Sequence, residues 1–108
     1  MFRGGAIAKG VLLKVLCNVS LQVIPNVPEA ELYGFVDEVI ALIRESGVKH
    51  VVGPMETTME GELRLLLDIV ARAQELCLQR GAHRVLSVVK IDCKPGGVTI
   101  DEKMEKYR

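Results

Sequence analysis

The chain has 108 residues, 49% of them hydrophobic and 26% charged, with fourteen basic residues balancing fourteen acidic ones, the profile of one ordinary globular domain. Zero net charge, no tryptophan and only two Tyr and two Phe remove the basic footprint and the stacking platforms that nucleic-acid binding needs. No like-charged block marks an anionic membrane surface, so a small ligand or a protein is the expected partner.

Residues 1–13 carry an early Arg3 and several apolar residues, but Lys9 and Gly10 interrupt any signal-peptide core. No apolar run is long enough to span a bilayer, and a cytoplasmic location with no membrane partner is expected. These residues are read as a flexible N-terminal extension to one domain over residues 14–108.

From 14 to 24, Val15, Cys17, Val19, Leu21 and Val23 alternate with Asn18, Ser20 and Gln22. A period of two places the sets on opposite faces of a strand, which Pro25 and Pro28 end. Residues 29–46 then repeat apolar side chains at Leu32, Phe35, Val36, Val39, Ile40 and Ile43, one helix face, and Gly47 caps it. The β-branched run over 48–52 predicts a second strand closed by Gly53-Pro54.

Residues 55–60 are assigned to a third strand because threonines favour it, with Gly61 as a bend. A second helix over 62–80 sets Leu63, Leu66, Leu67, Val70, Ala73 and Cys77 in a stripe, with acids at its start and Gly81 at its end. Residues 83–92 form a fourth strand before the Lys94-Pro95-Gly96-Gly97 turn. In the tail, Thr99 stands three residues before Glu102, the capping-box spacing. A helix started there is too short to be stable alone, so it docks on the body or on a neighbouring subunit.

The order β-α-β-β-α-β predicts an α+β fold, the ferredoxin-like sandwich with one four-stranded antiparallel sheet and two helices on one face. The other face is left to solvent, a ligand or another subunit. Alternation puts Asn18, Ser20, Gln22, Thr58, Glu60, Val88, Lys90 and Asp92 on it. Their hydroxyl, amide, carboxylate and ammonium groups suit a small polar heterocycle, although a solvated face or a polar-trimmed dimer interface presents the same pattern. Self-association suits so small a domain.

Glu56, Glu60 and Glu62 offer an acid/base pair or a hard-metal site, against the simpler reading that acids before a helix favour its positive end. Of the three, Glu60 is the candidate site residue. His50 and His83 lack metal-ligand spacing. Three cysteines without CxxC spacing indicate neither a disulfide framework nor zinc: Cys17 and Cys77 read as core packing, Cys93 as an exposed thiol. No P-loop, dinucleotide fingerprint or nucleophile set is present, so no enzyme activity, metal or cofactor is expected.

The series "VSLQVIP", "GPMETTMEGE", a long helix, "RVLSVVKID" and "GGVTIDEKMEKYR" resembles the small thiamine-binding protein family over almost everything after Lys14. The resemblance implies a ferredoxin-like fold, dimers pairing as tetramers through their sheets, and binding of thiamine or its hydroxymethylpyrimidine part without catalysis. The family's Thr-Thr-x-Glu-Gly core is matched by Thr57, Thr58, Glu60 and Gly61, its first-strand serine by Ser20, and its strand end by Lys90, Ile91 and Asp92. On that resemblance the ligand set is Ser20, Gln22, Thr57, Thr58, Glu60 and Lys90, with Glu60 or Glu56 offsetting the thiazolium charge. Lys90 either receives a phosphate or pairs with Asp92 or Glu60. Val88 stands where a polar group would serve recognition better. The competing reading is an oligomeric interaction or regulatory module without a ligand.

Overall fold

The computed structural model describes residues 15–108, so the N-terminal extension expected over 1–13 lies outside the described residues. In chain order come β1 (Cys17–Pro25), α1 (Glu29–Ser46), β2 (Lys49–Val52), β3 (Thr57–Gly61), α2 (Leu63–Gln79), β4 (Val85–Asp92) and α3 (Ile100–Met104), then a 3-10 turn over Glu105–Tyr107. The strands form one antiparallel sheet in the order β2-β3-β1-β4. The architecture is α+β and consistent with the ferredoxin-like arrangement.

Alternation on the central strands builds the core. Val19 and Leu21 of β1 and Met59 of β3 point to one face, where they are buried with Phe35, Val39 and Ile43 of α1 and Leu66, Ile69, Ala73 and Cys77 of α2. Each large aliphatic side chain so buried stabilises the fold by about 1.5–3 kcal/mol. α1 has the bounds read from its sequence: it starts after Pro28, carries Glu29 and Glu31 in its first turn, and ends at Gly47 with φ 81°. A left-handed residue there is tolerated because glycine has no Cβ. The expected apolar face of α1 is wider than the core it fills, since Leu32, Val36 and Ile40 remain half-buried.

Several expectations are corrected. α2 buries Ile69 rather than Leu67, which is exposed, and its first turn holds no acid; Glu62 is the N-cap residue and makes no side-chain cap. β3 starts at Thr57 because Gly53 N–H donates to the Glu56 carbonyl at 2.9 Å, closing a turn over the preceding residues. Gly61 is no bend, since it pairs with Cys17 in the β1–β3 ladder. Cys93 is not a free thiol. It is disulfide-bonded to Cys17, 76 positions away in sequence, with Cα atoms 4.7 Å apart. The β1–β4 register, which sets Asn18 opposite Asp92, carries the two cysteines to the same end of the sheet. Cys77 is the free, buried cysteine among the described residues.

The tail docks on the chain's own sheet. Thr99 caps α3 by accepting the Glu102 N–H at 3.1 Å, and Ile100 is buried. Val98 N–H donates to the Leu16 carbonyl at 2.9 Å, and the Lys49–Asp101 and Lys103–Asp92 ion pairs, at 2.5 Å and 2.7 Å, tie α3 to β2 and β4.

Candidate functional site

The sheet face opposite the core helices is read from the registers. Ser20 lies between Thr58 of β3 and Lys90 of β4, and one step along, Asn18 lies between Glu60 and Asp92. Toward the other end come Ile24 and its partner Leu86, and Val88 opposite Gln22. Ile24, Leu86, Val88 and, on β2, Val51 are exposed apolar side chains.

Glu56 organises the polar part. The turn closed on Gly53 delivers its carboxylate over the sheet, where Oε1 accepts the Ser20 hydroxyl at 3.1 Å and Oε2 accepts the Lys90 ammonium at 3.1 Å. The bond from Lys90, with that from Ser20 behind it, holds the Glu56 carboxyl below its ordinary value, so it is a carboxylate at neutral pH. Around these groups is a cavity of about 290 Å³, lined by Asn18, Ser20, Glu56, Thr58, Lys90, Asp92 and Lys103 with Ile91. Lys90 is thus paired with Glu56 and with neither partner expected from the sequence.

Asn18 is the least expected member of this lining. It is 3% exposed, its Nδ2 donates to the Val98 carbonyl at 3.4 Å, and its Oδ1 is buried without a partner among the described residues. A buried acceptor left unpaired costs about 1–3 kcal/mol. The β1 alternation places Asn18 on this face; its burial comes from the tail, which no pattern in β1 announces.

The predicted residues divide accordingly. Ser20, Thr58 and Lys90 meet in the polar cavity. Glu60 shares their face, but its Oε1 accepts the Ile100 N–H at 2.7 Å, which commits it to holding the tail. Thr57 is separated from Thr58 because successive strand residues point to opposite faces; it is 5% exposed and lies on the helix side. Thr57 and Gln22 line a different, largely apolar cleft of about 330 Å³, walled by Leu32, Val36 and Ile40 of α1 with Val52 and Met55. Glu56 borders both spaces. The sequence offers Glu56 only as an alternative to Glu60 for offsetting the thiazolium charge and leaves it out of the hydrogen-bonding set; the structure gives Glu56 the central place and ties Glu60 to the tail.

His83 is exposed, and His50 Nδ1 lies 2.9 Å from the Val48 carbonyl. Neither lines the polar cavity. The cavity offers hydroxyls, an amide oxygen, carboxylates and ammonium groups: a surface for hydrogen-bonding a small polar molecule.

A family model described as thiamine-binding protein matches residues 19–108. A UPF0045 protein of Clostridium perfringens is 60% identical over 92 residues, spanning 85% of this chain and 97% of that protein. Among solved structures, a domain of unknown function from Bacillus cereus aligns with a TM-score of 0.83 at 45% identity, covering 90% of this chain and 94% of its own. A candidate thiamine biosynthesis/salvage protein of Thermotoga maritima aligns with a TM-score of 0.81 at 39% identity, covering 86% of this chain and 99% of its own.

Proposed function

The chain belongs to the thiamine-binding protein family, and on that premise we propose that it is a ferredoxin-like, non-enzymatic binder of thiamine or its hydroxymethylpyrimidine part. It acts as a cytoplasmic carrier, reservoir or transport accessory. The observation that carries this reading is the convergence of Ser20 and Lys90 on the Glu56 carboxylate beside Thr58, in a cavity of about 290 Å³. An aminopyrimidine presents donors and acceptors side by side, and such a ring is recognised when fixed groups of opposite sense meet each of them. The Glu56 carboxylate accepts, Thr58 does either, and the Lys90 ammonium donates. Glu56 also supplies negative charge for a cationic thiazolium. These groups bind and orient; none is set up as a nucleophile, and no cofactor or metal enters the reading.

Copies of the chain pair through the open sheet face into dimers or tetramers. The support is the exposed apolar set Ile24, Val51, Leu86 and Val88 beside the cavity, the kind of patch a monomer seldom leaves uncovered. Val88 serves this contact rather than recognition. The same patch favours a second reading, an interaction module whose cavity holds no ligand.

Isothermal titration with thiamine, hydroxymethylpyrimidine and thiamine diphosphate, with the oligomeric mass recorded in the same buffer, tests both. Saturable heats with the pyrimidine-bearing ligands are expected. A folded oligomer that gives no heat and no thermal stabilisation with any of them overturns the binder and leaves the interaction module.

A further inference from the structure

We infer that Asn18 Oδ1 is the acceptor that reads an N–H donor of the ligand in the polar cavity, the exocyclic amino group where the ligand is an aminopyrimidine. The inference rests on the binding reading above and adds which group of the ligand is selected and by what.

The orientation of the amide follows from its neighbours. Val98 presents a carbonyl, which can only accept, 3.4 Å from the Asn18 side chain, so the nitrogen faces Val98 and the oxygen is the end left over. The residues opposite Asn18 in the two ladders are Glu60 and Asp92, carboxylates that offer no hydrogen when ionised. Ser20 and Lys90 bond Glu56 and Lys103 bonds Asp92, and the Thr58 hydroxyl, which shares the cavity, does not reach the Asn18 oxygen either. Among the described residues, Asn18 Oδ1 is buried with no partner, and Asn18 is part of the cavity lining.

A fixed, dehydrated acceptor discriminates strongly, because a ligand without the matching hydrogen leaves it unpaired while a ligand that has it does not. An amino group fits, and its hydrogens can only donate. A methyl group in the same place has nearly the same shape and no hydrogen to give. Ser20, Thr58 and Lys90 orient the rest of the ring; Asn18 sets which substituent is accepted beside them.

The test uses the full chain and two probes, 4-amino-5-hydroxymethyl-2-methylpyrimidine and its 4-methyl counterpart. Wild type is expected to bind the amino compound about ten- to a hundredfold more tightly. In Asn18→Leu, which removes the acceptor and keeps the volume, that ratio is expected to fall close to one. As a check independent of any variant, the Asn18 side-chain amide resonances of wild type should shift with the amino compound and not with the methyl one. Equal binding of both probes to wild type overturns the inference and leaves the binding reading intact, as does a ratio that survives in Asn18→Leu. Failure of both probes to bind wild type overturns the binding reading and this inference with it.

Discussion

Asn18 and Glu60 face each other across the β1–β3 ladder, and both hold the same C-terminal segment: Asn18 through the Val98 carbonyl, Glu60 through the Ile100 N–H. The tail is therefore part of the sheet's open face, and it sets one wall of the cavity through Lys103.

Removing one of these two anchors loosens the tail without touching Glu56. Glu60→Ala is expected to cost about 1.5–3 kcal/mol, the range for a hydrogen bond to a charged group. Its signature is faster hydrogen exchange at the Ile100 amide, with ligand affinity falling far less than in Glu56→Ala. Unchanged exchange at Ile100 would show that the tail is held by other means.

The pH response of the cavity follows from Glu56. Its folded pKa lies below the unfolded value of 4.5, chiefly because Lys90 bonds it and then because Ser20 does. A depressed carboxyl contributes stability above its unfolded pKa and loses it as pH falls through its folded pKa. Binding should accordingly hold steady from neutral pH to about 5 and decline only below the unfolded value. Carboxyl NMR titration should place the Glu56 midpoint higher in Lys90→Ala than in Ser20→Ala. The reverse ranking would refute the assigned order of causes.

Gly53 and Gly34 give opposite results when changed to alanine. A Cβ at Gly53 would stand 2.9 Å from the Glu56 carbonyl oxygen, whereas one at Gly34 meets nothing within 4 Å. Gly53→Ala forces the turn apart, destabilises by about 1–3 kcal/mol, and should weaken ligand binding by displacing Glu56. Gly34→Ala, in the interior of α1, should stabilise by about 0.5–1 kcal/mol. Urea melts of the two variants provide the comparison.

The Cys17–Cys93 disulfide spans 76 positions. Closing a loop of that length restricts the unfolded chain by about 4.5 kcal/mol in the chain-entropy account. Adding a thiol reductant should lower the urea midpoint of wild type and leave that of Cys93→Ala where it was. An identical midpoint with and without reductant would show that the bond contributes nothing to folding.

The proposed pairing of copies through the sheet is exposed to a single charge. Leu86 is 58% accessible on the open face, so Leu86→Lys should reduce the mass seen in sedimentation while circular dichroism stays unchanged. A full-size assembly in that variant would move the interface elsewhere.

Much of the fold is legible in local pattern. α1 is bracketed by Pro28 and Gly47, and its observed bounds coincide with those signals. The period-two alternation of β1 brings Ser20 onto one face with Thr58 and Lys90. What escapes is whatever depends on distant pairing. Thr57 belongs to the same short motif as Thr58, yet the pleat turns it to the helix side. Glu56 acquires its role from a turn closed by Gly53, which has no periodicity to betray it. The partner of Cys93 is set by strand register, and the burial of Asn18 by a tail eighty positions away.

β1 carries the core and the cavity on alternate residues, Val19 and Leu21 for one, Asn18 and Ser20 for the other. One residue inserted there would turn every later side chain to the wrong side, sending hydroxyls inward and aliphatics outward in a single step. The strand can be respelled but not lengthened. Its recognition face can drift toward new ligands one substitution at a time, while its reading frame stays locked to the interior behind it.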